Sequence, residues 1–150
     1  MKRFLILAGL FLLFIQAFAQ KGGPRDFDKY KSMKVSFMTE KLELSPQEAQ
    51  NFWPLYNEFD KKRFELHQER RNLEKRIKEN YNSYSEKKFE QISDSIIAHY
   101  RKDYELMQEY HVKFRKVLPA KKVVMINPVE DEFRFMMIRE FRDKKREEKH

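Results

Sequence analysis

Four side chains of the metal-binding types recur at intervals of four residues in the second half of the chain. They are His99, Asp103, Met107 and His111. Imidazole with a thioether suits copper, and imidazole with a carboxylate suits zinc or nickel. Because a row that steps by four drifts around a helix, only neighbouring pairs share a face, and the four cannot converge on one ion. A metal site would need His67 or a second chain to complete it, and a surface histidine pair is the simpler prediction.

No other motif for catalysis or ligand binding is present. The chain has no glycine-rich phosphate loop, no G-x-S-x-G and no H-E-x-x-H, and it has no cysteine for a thiolate site or a disulfide. Its carboxylates alternate with lysine and arginine, which is typical of solvated helix faces. We therefore expect a protein that is not an enzyme and that uses no cofactor.

The amino terminus has the pattern of a secretory signal peptide. Lys2 and Arg3 form a short basic region, residues 4–15 form an apolar run, and Ala17 and Ala19 are the small residues that precede a cleavage site. The apolar run is short for a membrane span. We predict a signal peptide at 1–19, cleavage after Ala19 and a periplasmic location, with an uncleaved anchor as the alternative.

The net charge of +8 at pH 7 could attract acidic partners, but the charges alternate in sign over most of the chain, so solvated helix faces are the simpler interpretation. An exported chain rarely meets nucleic acid, so acidic clients or an anionic membrane surface are the better candidates. A module that binds a lipid surface is a third candidate function, and it rests only on the basic charge and the amphipathic helices.

The composition predicts an all-α fold. Glycine is rare, lysine, glutamate and arginine are abundant, and no alternating apolar pattern of any length occurs. We expect a mobile N-terminal segment at 20–25 and a helical domain at 26–141. Residues 142–150 are a charged C-terminal tail, either a solvated helix end or a frayed terminus.

We predict four long helices arranged as two hairpins, each of which is two helices joined by a short turn rich in leucine and proline. A polar loop at residues 80–85 separates the two hairpins. In the first turn Ser45 is a helix N-cap, Pro46 occupies the first helical position, and Glu48 closes a capping box. The role of both turns is structural, and their residues are Leu44, Ser45, Pro46, Glu48, Leu118 and Pro119.

Two prolines and two arginines occupy unusual positions in the predicted helices. Pro54 and Pro128 fall within predicted helices and should kink them, because proline removes a backbone hydrogen bond and crowds the preceding turn. Arg63 and Arg70 occupy apolar seam positions of the second helix. They either extend their charged ends past a thin core or form a cationic strip that faces clients on an open surface.

The segment FMTEKLELSPQEAQNFWPLYNEF, residues 37–59, with VLPAKK at 117–122 as a weaker mark, resembles the Spy/CpxP family of periplasmic proteins. This family carries a Leu-Thr-x-x-Gln (LTxxQ) motif in each half. The likeness is greatest to the branch named as periplasmic heavy-metal sensors or as sensors linked to extracytoplasmic-function sigma factors. The second turn departs from the motif, with Pro119 in place of threonine and Lys122 in place of glutamine.

The resemblance implies a bent four-helix cradle with a concave face, commonly an antiparallel dimer. It implies a chaperone-like protein that binds unfolded or damaged envelope proteins, or an adaptor to a membrane-bound stress regulator. A periplasmic metal-responsive sensor of the same fold is the alternative function.

Overall fold

The computed structural model of the chain describes residues 24–148, and all of their regular structure is helical. Four helices have 18 residues or more: α1 (Pro24–Lys41), α2 (Pro46–Asn80), α3 (Glu86–Val117) and α5 (Ile126–Glu147). A single-turn helix, α4 (Ala120–Val123), precedes α5, and a 3₁₀ turn (Tyr81–Ser83) follows α2. The described residues contain no strand, so the predicted all-α fold is confirmed.

The structure describes most of the predicted C-terminal tail, but only the last two residues of the predicted N-terminal segments. The predicted signal peptide and residues 20–23 lie outside the described residues. Because α1 begins at Pro24, the last two residues of the segment expected to be mobile are helical. At the other end α5 continues to Glu147 and residues 142–148 are all exposed, which fits the solvated helix end.

The described residues belong to two compact units, with the boundary between Phe37 and Met38, inside α1. In the first unit, Ser32 Oγ donates a hydrogen bond to the carbonyl oxygen of Asp28, at 2.9 Å. Every feature described below lies in the second unit.

The first turn is built as its sequence predicts. Leu44 N–H donates to the carbonyl oxygen of Thr39, and Glu43, in the left-handed region at φ 49°, donates to that of Glu40, so α1 ends in a Schellman motif. Ser45 Oγ then accepts from Glu48 N–H at 3.3 Å, while Glu48 Oε2 accepts from Ser45 N–H at 2.8 Å. The predicted capping box is confirmed.

The second turn is tied to the first by Lys122. Its Nζ donates to Glu48 Oε2 at 2.8 Å and also to the carbonyl oxygen of Glu43. Lys122 therefore contacts the carboxylate that closes the first capping box. Leu118 is buried and is the C-cap of α3, and Pro119 precedes α4.

We expect Lys122→Met to reduce stability, and to reduce it more at neutral pH than in acid. The Lys122 ammonium, and after it the Ser45 backbone N–H, hold the pKa of Glu48 below its ordinary value. A carboxyl with a lowered pKa stabilises the fold above its unfolded pKa, and this contribution is lost as the pH falls through the folded pKa. Urea unfolding midpoints measured from about pH 6 to about pH 3 should therefore converge for the two proteins. A difference that stays constant over this range would contradict the link.

The fourth predicted helix is interrupted before Pro128, the residue at which the sequence predicts a kink. The interruption falls at Val124–Met125, between α4 and α5. Pro128 is the third residue of α5, where a backbone N–H has no intrahelical partner to lose. Pro54 lies inside α2, which runs unbroken from Pro46 to Asn80, and the bend expected there stays a prediction.

The helices α2 and α3 pack as an antiparallel pair around a cluster of aromatic rings. Phe114 of α3 lies among three rings of α2, with centroids 5.4 Å from Phe52, 6.4 Å from Tyr56 and 5.8 Å from Phe59. Tyr110, one turn earlier on α3, lies 5.2 Å from Phe59. All five side chains are buried, so this cluster forms the centre of the core.

No helix in residues 24–148 has the length and apolar character needed to cross a bilayer.

Candidate functional site

The four metal-binding candidates lie in two different environments, two of them against α2 and two in a groove. His99 and Asp103 lie against α2, where the Nε2 atom of His67 is 3.5 Å from Asp103 Oδ1 and His99 Nδ1 is 4.0 Å from Glu69 Oε2. These distances are too long for hydrogen bonds, and the buried Nδ1 of His99 and Oδ1 of Asp103 have no hydrogen-bond partner. The structure thus brings His67 beside Asp103, as a completed site would require.

Met107 and His111 point elsewhere, into a groove beside α4 and the start of α5. The groove has a volume of about 290 Å³. Its lining is mostly apolar and includes Phe59, Tyr104, Met107, His111, Val123 and Ile126. Among the described residues, no group of three or more histidine, aspartate or glutamate side chains is arranged to hold a metal ion.

Arg63 is held in an ion pair with a buried carboxylate, and 20% of its own side chain is exposed. Its two terminal nitrogens donate to the two carboxylate oxygens of Glu130 on α5, at 2.9 Å and 2.7 Å, and one of them also lies 3.2 Å from Asp60. The hydroxyl of Tyr56 donates to the same carboxylate, and the guanidinium lies 4.6 Å from the centroid of the Phe59 ring. Glu130 is 6% exposed, so this cluster ties α5 to α2 in the interior.

Glu130 fixes the protonation states of Tyr56 and Arg63. Burial, and then the adjacent Glu130 carboxylate, raise the pKa of the Tyr56 hydroxyl well above its ordinary value. Burial alone would lower the pKa of Arg63, but the hydrogen bonds and charge of Glu130 outweigh it and raise that pKa. Tyr56 therefore stays neutral and Arg63 stays charged across the physiological range.

The expected cationic strip of Arg63 and Arg70 therefore needs correction for Arg63, whose charge is engaged by Glu130. The sequence could not show this, because Glu130 is 67 residues away along the chain. Arg70 pairs with Glu74 on its own helix at 2.9 Å, and its guanidinium lies 5.8 Å from the ring centroid of Tyr100 on α3. The role of Arg70 on a surface that faces clients stays a prediction.

Tyr100 belongs to an exposed apolar row on α3, which we call the α3 stripe. Its members follow one another at spacings of three, four and three residues and keep 40% to 60% of their surface exposed. They are Ile97, Tyr100, Tyr104 and Met107. The stripe continues into the groove, since Tyr104 and Met107 also line it. It is a continuous apolar surface about 15 Å long, from the helical rise per residue.

The sequence pattern groups part of this stripe with residues that the structure buries. The spacing predicts one apolar face on the third helix with Tyr104 and Tyr110 beside it, and its members are Phe89, Ile92, Ile96, Tyr100, Met107, Phe114 and Val117. The structure buries Tyr110 and Leu106 and exposes Tyr100 and Met107. Ile97 was not singled out, although its position three residues before Tyr100 is a signal in the sequence.

Comparisons of the chain with protein-family models, with curated proteins and with solved structures find no match. The resemblance to the Spy/CpxP family therefore stays a prediction.

Proposed function

We propose that this chain is an exported interaction protein that binds unfolded or damaged envelope proteins, or that acts as an adaptor to a membrane-bound stress regulator. The observation that carries the proposal is the α3 stripe, a continuous apolar surface on one face of a long helix. Contiguous exposed apolar surface of this kind is typical of sites that bind other proteins.

The surroundings of the α3 stripe suit an unfolded polypeptide. The tyrosines offer flat apolar surface with a polar end, and Met107 adds a flexible side chain that adapts to different partners. Arg70 beside Tyr100 and the exposed Arg101 supply positive charge at its edge. Unfolded chains expose apolar side chains in varied sequence contexts, so an adaptable apolar surface favours them over one specific ligand.

The test is suppression of light scattering when a denatured model client is diluted into buffer with the purified chain. We expect suppression near stoichiometric ratios, and we expect the double variant I97S/Y104S to lose most of it. The two side chains together contribute about 2 kcal/mol of apolar contact to a bound client, which corresponds to a roughly 30-fold loss of affinity.

The matched control is V112S/Y81S, which removes one aliphatic and one tyrosine side chain of similar exposure outside the stripe. Circular dichroism should show that both variants keep their helices. Equal loss of suppression in the two variants would contradict a role for the stripe. No suppression by the unaltered chain would exclude the general chaperone activity and leave the adaptor.

The alternative, a metal-responsive sensor, is favoured by one observation. His67 lies beside Asp103, and His99 is one turn before Asp103 on α3. The same scattering assay separates the two functions when it is repeated with a chelator. Suppression that is unaffected by the chelator supports the client-binding function, whereas suppression that the chelator removes supports the metal-responsive one.

A further inference from the structure

The end of α5 has an outer face on which every charged residue is basic. Successive residues of an α-helix are turned by about 100° around its axis. In roughly the last three and a half turns of α5, six side chains fall in a sector of about 120° that is centred opposite buried Phe133. We call these residues the α5 outer face, and they are Phe135, Ile138, Arg139, Arg142, Lys145 and Arg146. All six are exposed, with Phe135 at 68% and Ile138 at 53%.

The acidic residues of this part of α5 lie outside that sector. Glu140 and Glu147 lie on the same side of the helix as Phe133, and Asp143 and Glu148 lie between that side and the α5 outer face. Glu140 has its own partner, Lys144, at 3.7 Å. Within residues 24–148, none of Arg139, Arg142, Lys145 and Arg146 has an acidic side chain within ion-pair distance.

We infer that the α5 outer face binds the surface of an anionic lipid bilayer. Its basic side chains would contact the phosphate groups, and Phe135 and Ile138 would enter the boundary between headgroups and acyl chains, as in helices that lie in a membrane interface. A nucleic acid would contact the basic residues but would offer no apolar layer for the two exposed apolar side chains. A second copy of the same face would bring four unpaired positive charges against four others.

The test is co-sedimentation of the full chain with vesicles of phosphatidylcholine that contain phosphatidylglycerol, and with vesicles of phosphatidylcholine alone. Each basic residue near an anionic surface strengthens binding about five-fold. We therefore expect the variant R139Q/R142Q/K145Q/R146Q to bind the anionic vesicles at least about 100-fold more weakly. We expect F135S/I138S to weaken the same binding about ten-fold or more, because it removes the apolar contacts.

The matched control is K61Q/K87Q/K88Q/K102Q, which removes the same charge from exposed positions on α2 and α3. Because every variant keeps residues 1–23, any contribution of that segment to lipid binding is common to all of them. The control should keep most of the binding, and binding by the unaltered chain should fall steeply in salt.

Four results would overturn the inference. The first is an equal loss of binding in R139Q/R142Q/K145Q/R146Q and in its control, and the second is an F135S/I138S variant that binds like the unaltered chain. The third is no preference for anionic vesicles, and the fourth is tight binding to duplex DNA without binding to vesicles. The affected side chains are exposed, so circular dichroism should show unchanged helix content in all variants and exclude unfolding as the cause.

Discussion

Replacing Glu130 with alanine is expected to lower the free energy of unfolding by about 3 to 5 kcal/mol, since it removes one partner of a buried ion pair. The carboxylate accepts hydrogen bonds from Arg63 at two nitrogens and from Tyr56. Without it, the guanidinium keeps its charge in a largely buried position, with Asp60 at 3.2 Å as its remaining acidic neighbour, and the Tyr56 hydroxyl is left buried. Urea unfolding followed by circular dichroism measures the loss.

Two further variants separate the ion pair from other effects at this part of α5. Glu132→Ala removes a neighbouring carboxylate whose ion pair with Lys41 is exposed, and it should cost less than about 1 kcal/mol. R63M/E130L replaces both charges with apolar side chains and should recover much of the stability that Glu130→Ala loses. A loss of less than about 1 kcal/mol for Glu130→Ala would show that the cluster contributes little to the fold.

Local signals in the sequence were sufficient for the starts of α2 and α3. Ser45, Pro46 and Glu48 predicted the start of α2, and the structure has each of their hydrogen bonds. Ser85 likewise caps α3, where its hydroxyl accepts from Lys88 N–H. Such signals succeed because a cap satisfies backbone groups within three residues and depends little on the rest of the chain.

Contacts between distant segments could not be predicted in this way. Lys122 and Glu48 are 74 residues apart, and nothing in either segment names the other. The same holds for Glu130, which the sequence presents as one of many carboxylates on a charged helix. With no homologous match to indicate paired positions, only the folded chain reveals that Arg63 has a buried partner.

The misplaced residues on α3 have a different cause, which is the period of the helix. Met107 and Tyr100 lie seven and fourteen residues before Phe114, so a seven-residue pattern groups the three together. A straight α-helix drifts by about 20° in each such step. Over two steps the drift turns Tyr100 about 40° away from the direction of Phe114. Phe114 is buried against α2, whereas Met107 and Tyr100 are exposed on the α3 stripe.

Substitutions on the two faces of α3 should differ strongly in their effect on the free energy of unfolding. We expect Phe114→Ala to lower the free energy of unfolding by about 3 to 5 kcal/mol, since its ring contacts three α2 rings and its removal leaves a cavity that a rigid aromatic cluster cannot close. Tyr104→Ala, ten residues earlier on the same helix, should cost less than about 0.5 kcal/mol because the side chain is 60% exposed. Urea unfolding of both variants gives the comparison.

The same pair of variants tests whether stability and the proposed binding of clients depend on different faces of α3. Tyr104→Ala should weaken client binding while the fold stays intact, whereas Phe114→Ala should weaken binding only under conditions that unfold the chain. A similar loss of stability in both variants would mean that Tyr104 packs against part of the protein in solution. The α3 stripe would then be an interior surface, and its assignment as the binding site would be wrong.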